Sequence, residues 1–191
     1  MKTAQPLHLT HPFLALCERS IVVTEAERFA LGELPFVEDT LTSGDVPGWT
    51  GDRPSRSFLI LEGLLGTSKT LTDGAVQVTA FHIPGDMLGL PSLHLEALDS
   101  DIAALAPSKV AFVENSDLRR LCEEHTRIAA LLWRTTLVDA AVACEWVVNV
   151  AQRQALSRVA HLFCEMMLRM DAVGLVEEGG CVLHLTQADL S

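Results

Sequence analysis

The residue order predicts an α+β fold: an antiparallel β-roll or jelly roll, then a long helix, then the opening of a winged helix-turn-helix. Three observations carry this. Glycine and proline divide residues 36–114 into short apolar or alternating runs, the punctuation of strands and tight turns. From Ser116 to about Val150 neither residue occurs, and the apolar period becomes that of a helix. A second amphipathic run follows, "RQALSRVAHLFCEMMLRM", and then an acidic turn, "VEEGG", and a short alternating strand, in the order that opens a winged helix-turn-helix.

The first elements are helical. Thr24-Glu25-Ala26-Glu27 has the capping-box pattern, in which the Thr hydroxyl and the Glu carboxylate each satisfy an unpaired N–H at the helix start. Ala26, Phe29, Ala30 and Leu34 then recur at helical spacing until Pro35. Another short helix is expected before it, around Phe13 to Arg19.

About eight short strands fit between Phe36 and Glu114. "SFLILEGLLGTSKTL" and "AVQVTAFHI" flank Thr72-Asp73-Gly74, where glycine supplies the positive φ of a hairpin turn. "DIAALA" and "KVAFVE" meet at Pro107-Ser108.

Ser116 is the expected N-cap of one unbroken helix to about Val150, close to 50 Å at about 1.5 Å per residue. One small β domain cannot cover it, so a second chain is expected. Ile128, Leu132, Thr135, Val142, Trp146 and Asn149 follow the alternating four-and-three spacing of a coiled-coil seam, with Asp139 as its defect. Val138 is counted in this expected dimer interface as well, although it also belongs to a second stripe, with Leu131, Ala141 and Val148, that is free to pack on the strands. At the other end, Thr186 can cap a further helix begun by Asp189 and Leu190, and a single turn is too short to be stable alone. The expectation is a truncated DNA-binding domain.

Composition narrows the function. Fourteen Lys and Arg against 25 Asp and Glu give a formal charge of −11, which repels nucleic acid unless basic residues gather on one face. No apolar run approaches the roughly 18 residues of a membrane span, and "MKTAQPLHLTHP" lacks a secretion signal, so a cytoplasmic protein with no membrane partner is expected. The five cysteines, Cys17, Cys122, Cys144, Cys164 and Cys181, are scattered and show no C-x-x-C spacing. That argues against structural zinc, a disulfide framework or an iron–sulfur cluster.

Several stretches together resemble the Crp/Fnr superfamily of bacterial transcription regulators, over about residues 20–191. They are "FLILEGLLGTSKTLTDGAVQVTAFHIPGDMLGLPSL", similar to the family's β-roll; the helix through "EWVVNV"; "RQALSRVAHLFCEMML", similar to the helix entering the DNA-binding domain; and "LTQADLS", similar to the entry of its helix-turn-helix. The resemblance implies N-terminal helices and a cyclic-nucleotide-binding-like sensor over 1–115, a dimerisation helix over 116–151, and the truncated start of a winged helix-turn-helix over 152–191, beginning its DNA-reading part at Thr186 and Gln187. It implies a homodimer that binds promoter DNA and RNA polymerase in its full-length form, responds to an unidentified signal for which a small-molecule effector is one candidate, and catalyses nothing.

The sensor departs from its relatives. Cyclic-nucleotide-binding members place Glu after a glycine to hold the ribose, and an Arg-Ser pair about ten residues later for the phosphate. A gap-free alignment of "PGDMLGLPSLHLEALDSDIAAL" puts Leu90, Ser100 and Asp101 there, reversing the charge that meets a phosphate. Cyclic nucleotide is therefore not expected in the usual mode, and Arg53 or Arg56 is left as the alternative source of a phosphate contact. His82 ends a strand facing the pocket, but nothing nearby completes an axial pair for haem. The expected effector pocket comprises His82, Leu88, Gly89, Leu90, Ser100 and Asp101, mostly apolar and set between the β-roll and the long helix. Two alternatives stay open. One is a cupin-like metalloenzyme, for which "SLHLE" offers His94 and Glu96 two apart on a strand face; the other is a signalling adaptor that does not bind DNA.

Overall fold

The computed structural model describes Phe13, residues 23–177 and residues 180–183. Helix α1 (Glu25–Gly32) starts at the expected capping box: Thr24 Oγ1 accepts from the Glu27 backbone N–H, and the Glu27 carboxylate accepts from the Thr24 N–H. Seven strands follow rather than eight: β1 (Val37–Leu41), β2 (Arg56–Glu62), β3 (Leu65–Thr70), β4 (Val76–His82), β5 (Met87–Leu88), β6 (Asp101–Ala104) and β7 (Ser108–Glu114). A 3-10 turn, Leu90–Leu93, lies between β5 and β6.

The strands form two antiparallel sheets, ordered β1-β7-β2-β5 and β4-β3-β6. Phe58, Ile60, Leu65, Leu88, Ile102, Val110 and Phe112 fill the space between them. The opposite face of the larger sheet presents Leu59, Met87, Ala111 and Val113 to the helices. Strand β2 is thus covered on both sides, which is why "FLIL" runs apolar without alternating.

The long helix is not continuous. Its first part, α2 (Asn115–Glu124), starts after Glu114 rather than Ser116, and the backbone turns at His125 (φ −131°, ψ 83°) before α3 (Thr126–Gln152). The break lets two differently directed helices serve one core: Leu118 and Leu121 of α2 and Ile128, Leu131 and Leu132 of α3 pack in the cluster that contains Leu59 and Val113. An ion pair of 2.9 Å between Arg127 and the buried Glu27 fixes the start of α3 to α1.

Helix α4 (Ala155–Ala172) folds back toward the β-roll. Its Leu162, Met166 and Met170 pack on Leu64, Ile83 and Ala106, residues of the connections at one end of the sheets. Gly174, at φ 74°, lies just past the helix end, as in a left-handed C-terminal stop. Beyond it a single antiparallel bridge joins Glu177 to Gly180, and Cys181–Leu183 are not in a strand. Phe13 is helical and buried; the rest of the helix expected there, and residues 184–191 with Thr186 and Gln187, lie outside the described residues.

Candidate functional site

Among the described residues, one cavity lies in the β-roll and another where the β-roll meets the helices. The first, about 340 Å³, opens inside the β-roll, with an apolar floor of Phe58, Ile102 and Phe112 and a rim carrying Asp52, Arg53 and Arg56. The Arg56 guanidinium sits 4.3 Å above the centre of the Phe112 ring, a cation–π contact that holds positive charge at the mouth. Arg53 pairs at 3.3 Å with Glu96, both largely exposed. Gly89 closes the cavity near β2: at φ 84°, it comes so close that a Cβ would lie 3.2 Å from Ser57 Cα. Only a residue that tolerates positive φ and close approach fits there.

The second cavity, about 320 Å³, lies between the end of β4, the inner face of α3, and α4. Its walls include Ala80, Phe81, Ile83, Val138, Val142, Trp146 and Leu168. Its polar groups converge at one side. Arg169 donates to Asp86 Oδ2 at 2.5 Å, to Glu165 Oε1 at 3.2 Å and to the Phe81 carbonyl at 2.9 Å. Glu165 also accepts from Trp146 Nε1 at 2.6 Å, and the His161 ring stands edge-on to Trp146 at 5.2 Å. Asp86 in turn accepts from the Ile83 N–H, so the Pro84-Gly85 turn is held in the same network.

Burial and these neighbours shift three titrations. Burial lowers the His82 pKa to about 4 against the pull of Asp86, so the imidazole is neutral at physiological pH. Burial, and then Asp86, raise Asp139 to about 6 despite Arg169. Burial works against the Arg169 charge, but Asp86, Glu165 and Asp139 outweigh it and raise its pKa.

The six residues expected to form one pocket are dispersed. Gly89 lines the β-roll cavity and His82 the cavity between the helices. Leu88 is core between the sheets, and Leu90 points to the other side of the larger sheet, into the cluster with Leu59 and Ile128. Asp101 lines neither cavity: it accepts from Thr50 N at 2.7 Å and Thr50 Oγ1 at 2.8 Å, bonds that lower its pKa and pin the loop before β2. Ser100 bonds to Asp99. The gap-free alignment thus located the turn but not the contacts, and the cations on the β-roll cavity are Arg53 and Arg56. The cupin-like pairing also fails geometrically, because His94 ends the 3-10 turn and Glu96 is in a loop, not on a strand face. Among the described residues, no group of three or more His, Cys, Asp or Glu is placed to hold a metal ion.

The expected dimer seam is turned inward. Ile128 and Leu132 are buried in their own chain's core, Thr135, Val142 and Trp146 line the second cavity, and Asn149 is fully buried beside Arg153. Val138, lining the same cavity, keeps 45% of its surface exposed. Of the second stripe, only Leu131 packs inward; Val138, Ala141 and Val148 stay exposed. Within the solvent-facing side Ala130, Trp133, Leu137, Ala140, Cys144, Val147 and Ala151 are all exposed and follow a strict three-and-four alternation. The sequence contained this stripe; a helix apolar on nearly every side gave no means of choosing it. Arg169, Asp86 and Glu165 left no sequence signal as a group, because they come from a turn and a helix about eighty residues apart.

Residues 38–125 match the cyclic nucleotide-binding domain family. The transcriptional activator protein FnrL of Cereibacter sphaeroides is 22% identical over 180 residues, which cover 93% of this chain and 70% of FnrL. The structure of FixK2 from Bradyrhizobium japonicum is similar with a TM-score of 0.73 at 23% identity, over 81% of this chain and 75% of that one. The c-di-GMP responsive global regulator CLP of Xanthomonas campestris is similar with a TM-score of 0.65 at 13% identity, over 86% and 81% of the two chains.

Proposed function

We propose, from the premise that this chain is a Crp/Fnr-type transcription regulator built on a cyclic nucleotide-binding domain, that it is the sensor and dimerisation part of a homodimer. Two copies pair along α3, and α4 leads into a winged helix-turn-helix that reads promoter DNA and works with RNA polymerase in the cytoplasm. The observation that carries this reading is the exposed stripe Trp133, Leu137, Cys144 and Val147, four residues at heptad spacing on a helix directly following the sensor domain. A two-fold pair would bury it and set two α4 helices symmetrically, as a two-fold DNA site requires.

The signal reaches DNA through differential affinity for two arrangements of α3 and α4, with no catalytic step. No helix among the described residues is long and apolar enough to cross a membrane. Light scattering on residues 1–191, and DNA selection with a form carrying the whole winged domain, test the reading together. The expected results are a dimer in the first and a palindromic, salt-sensitive site in the second. A monomer at high micromolar concentration, or no selected sequence, overturns it.

A further inference from the structure

We propose that the cavity between β4, α3 and α4 binds a small organic cation with an apolar body, its nitrogen paired with the Asp139 carboxylate. The cavity's volume, about 320 Å³, is at the small end of ligand pockets. Most of its wall is aliphatic or aromatic, from Ala80, Phe81, Val142, Trp146 and Leu168. That fits a molecule the size of an arylalkylamine.

Charge decides the class. Three carboxylates, Asp86, Asp139 and Glu165, and two guanidiniums, Arg134 and Arg169, line the space. Arg169 is already held by Asp86, Glu165 and a backbone carbonyl. An anion would have to displace a carboxylate from it. Asp139 lines the cavity while remaining exposed to solvent; it makes no ion pair or hydrogen bond among the described residues, and desolvation and the neighbouring Asp86 disfavour its charge. A cation entering there supplies the missing partner, and the Trp146 ring offers a further attractive face.

Proton linkage follows from the same geometry. The titratable and charged groups that line the cavity with Asp139 are His82 and Asp86 from β4 and its turn, Arg134 from α3, and Glu165 and Arg169 from α4, and of these Asp86 and Arg169 act on its charge. His82 stays mostly neutral down to pH 5, since its pKa is about 4. A fall in affinity between pH 7.5 and pH 5 therefore reports protonation of Asp139, whose pKa is about 6.

The claim concerns binding alone, so it can fail while the dimer and its DNA site stand. Isothermal titration calorimetry of the chain with 2-phenylethylamine, 2-phenylethanol and 3-phenylpropionate tests it. The amine is expected to bind at pH 7.5, at least about tenfold more tightly than the alcohol, with no binding of the carboxylate. Asp139→Asn should weaken the amine about tenfold, roughly 1.4 kcal/mol, and leave the alcohol unchanged. Ala143→Leu should block the amine and the alcohol while circular dichroism stays that of the parent. Lowering the pH to 5 should weaken the amine in the parent and not in Asp139→Asn. Equal or tighter binding of the carboxylate, an unchanged Asp139→Asn, or no amine binding at millimolar concentration each overturns the proposal.

Discussion

Arg169 of α4 and Asp86 of the β4–β5 turn form an ion pair of 2.5 Å, with side chains 24% and 19% exposed. It is the shortest polar connection between the helix after α3 and the β-roll, and Glu165 and the Phe81 carbonyl reinforce it. Replacing Arg169 by Met removes the cation but leaves two carboxylates, Asp86 and Glu165, in the same confined space. Breaking a buried pair this way costs about 3–5 kcal/mol, and the partial exposure here reduces the expected loss to about 1–3 kcal/mol. Urea unfolding measures it. Trp146, which gives its indole hydrogen bond to Glu165, should also shift its emission to the red as α4 loosens. A stability and spectrum identical to the parent's would show that the pair holds nothing.

Two glutamate substitutions on α3 separate the outward and inward faces. Leu137, 55% exposed, lies on the solvent stripe. Leu137→Glu should give a folded monomer, with like charges meeting across the two-fold axis. Ile128, 1% exposed, lies in the core. Ile128→Glu should unfold the chain, since an unpaired buried carboxylate costs several kcal/mol. In a parallel pair Cys144 meets its own copy, so a short bismaleimide should cross-link the chain once the exposed Cys164 is replaced by Ser. Light scattering that finds Leu137→Glu dimeric would contradict this seam.

A third prediction concerns two glycines with similar backbones and different surroundings. Gly63 (φ 93°) turns β2 into β3 where a Cβ would lie 2.2 Å from Ser108 Oγ and 2.6 Å from the Pro107 carbonyl. The same hydroxyl donates to the Ala106 carbonyl at 2.8 Å and accepts from the Leu64 N–H at 3.1 Å, so it has no room to yield. Gly74 (φ 87°) sits in the hairpin with nothing within 4 Å of such a Cβ. Gly63→Ala should cost about 3 kcal/mol or more, and Gly74→Ala about 1–2 kcal/mol, the backbone penalty alone. Similar losses at the two sites would mean that the approach of Ser108 is not what constrains Gly63.

The sequence was most legible where one local rule decides the outcome. Thr24 and Glu27 announced α1 because a capping box involves four consecutive residues. Thr72-Asp73-Gly74 announced the β3–β4 hairpin because positive φ there requires glycine. Legibility failed where tertiary packing chooses among local equals. Nothing between Ser116 and Val150 breaks a helix by propensity; the turn at His125 exists because α2 and α3 must both reach the face that carries Leu59 and Val113. The stripes of α3 were likewise equivalent until α4 folded against one of them. Leu90 was aligned as a ligand contact, yet an apolar side chain beside a covered sheet face goes to the core.

Cyclic AMP is the ligand to test in the β-roll cavity. With Leu90 turned into the core and Asp101 engaged by Thr50, neither a ribose carboxylate nor the usual arginine is in place. Millimolar cyclic AMP should therefore leave the melting temperature unchanged. Binding at a hundred times the dissociation constant stabilises by about 2.7 kcal/mol, enough for a clear shift. A rise of several degrees that Arg56→Ala abolishes would reassign the phosphate contact to the rim formed by Arg53 and Arg56.

The last prediction sets two titrations in one cavity against each other. His82 has its pKa lowered by burial from 6.5 to about 4, so the folded chain binds that proton less readily than the unfolded chain does. Stability from this residue is fully present above pH 6.5 and is lost as the pH falls toward 4, by about 2 kcal/mol at pH 5. Asp139 runs the other way. Its pKa is raised from 3.8 to about 6, so its carboxylate weakens the fold at neutral pH and protonation relieves that as the pH falls through 6. Because its side chain reaches solvent through the cavity, the relief is on the order of 1 kcal/mol. Asp86 and Arg169 act on both groups, Arg134 and Glu165 line the same cavity, and staying above pH 5 avoids protonating ordinary carboxylates. Urea unfolding at pH 7.5 and pH 5 should show the parent losing about 1 kcal/mol on acidification. Asp139→Asn should be the more stable chain at pH 7.5 and lose about 2 kcal/mol, because only the histidine slope remains. His82→Gln should reverse the sign and gain stability at pH 5. If all three chains lose the same amount, neither residue titrates as its surroundings require.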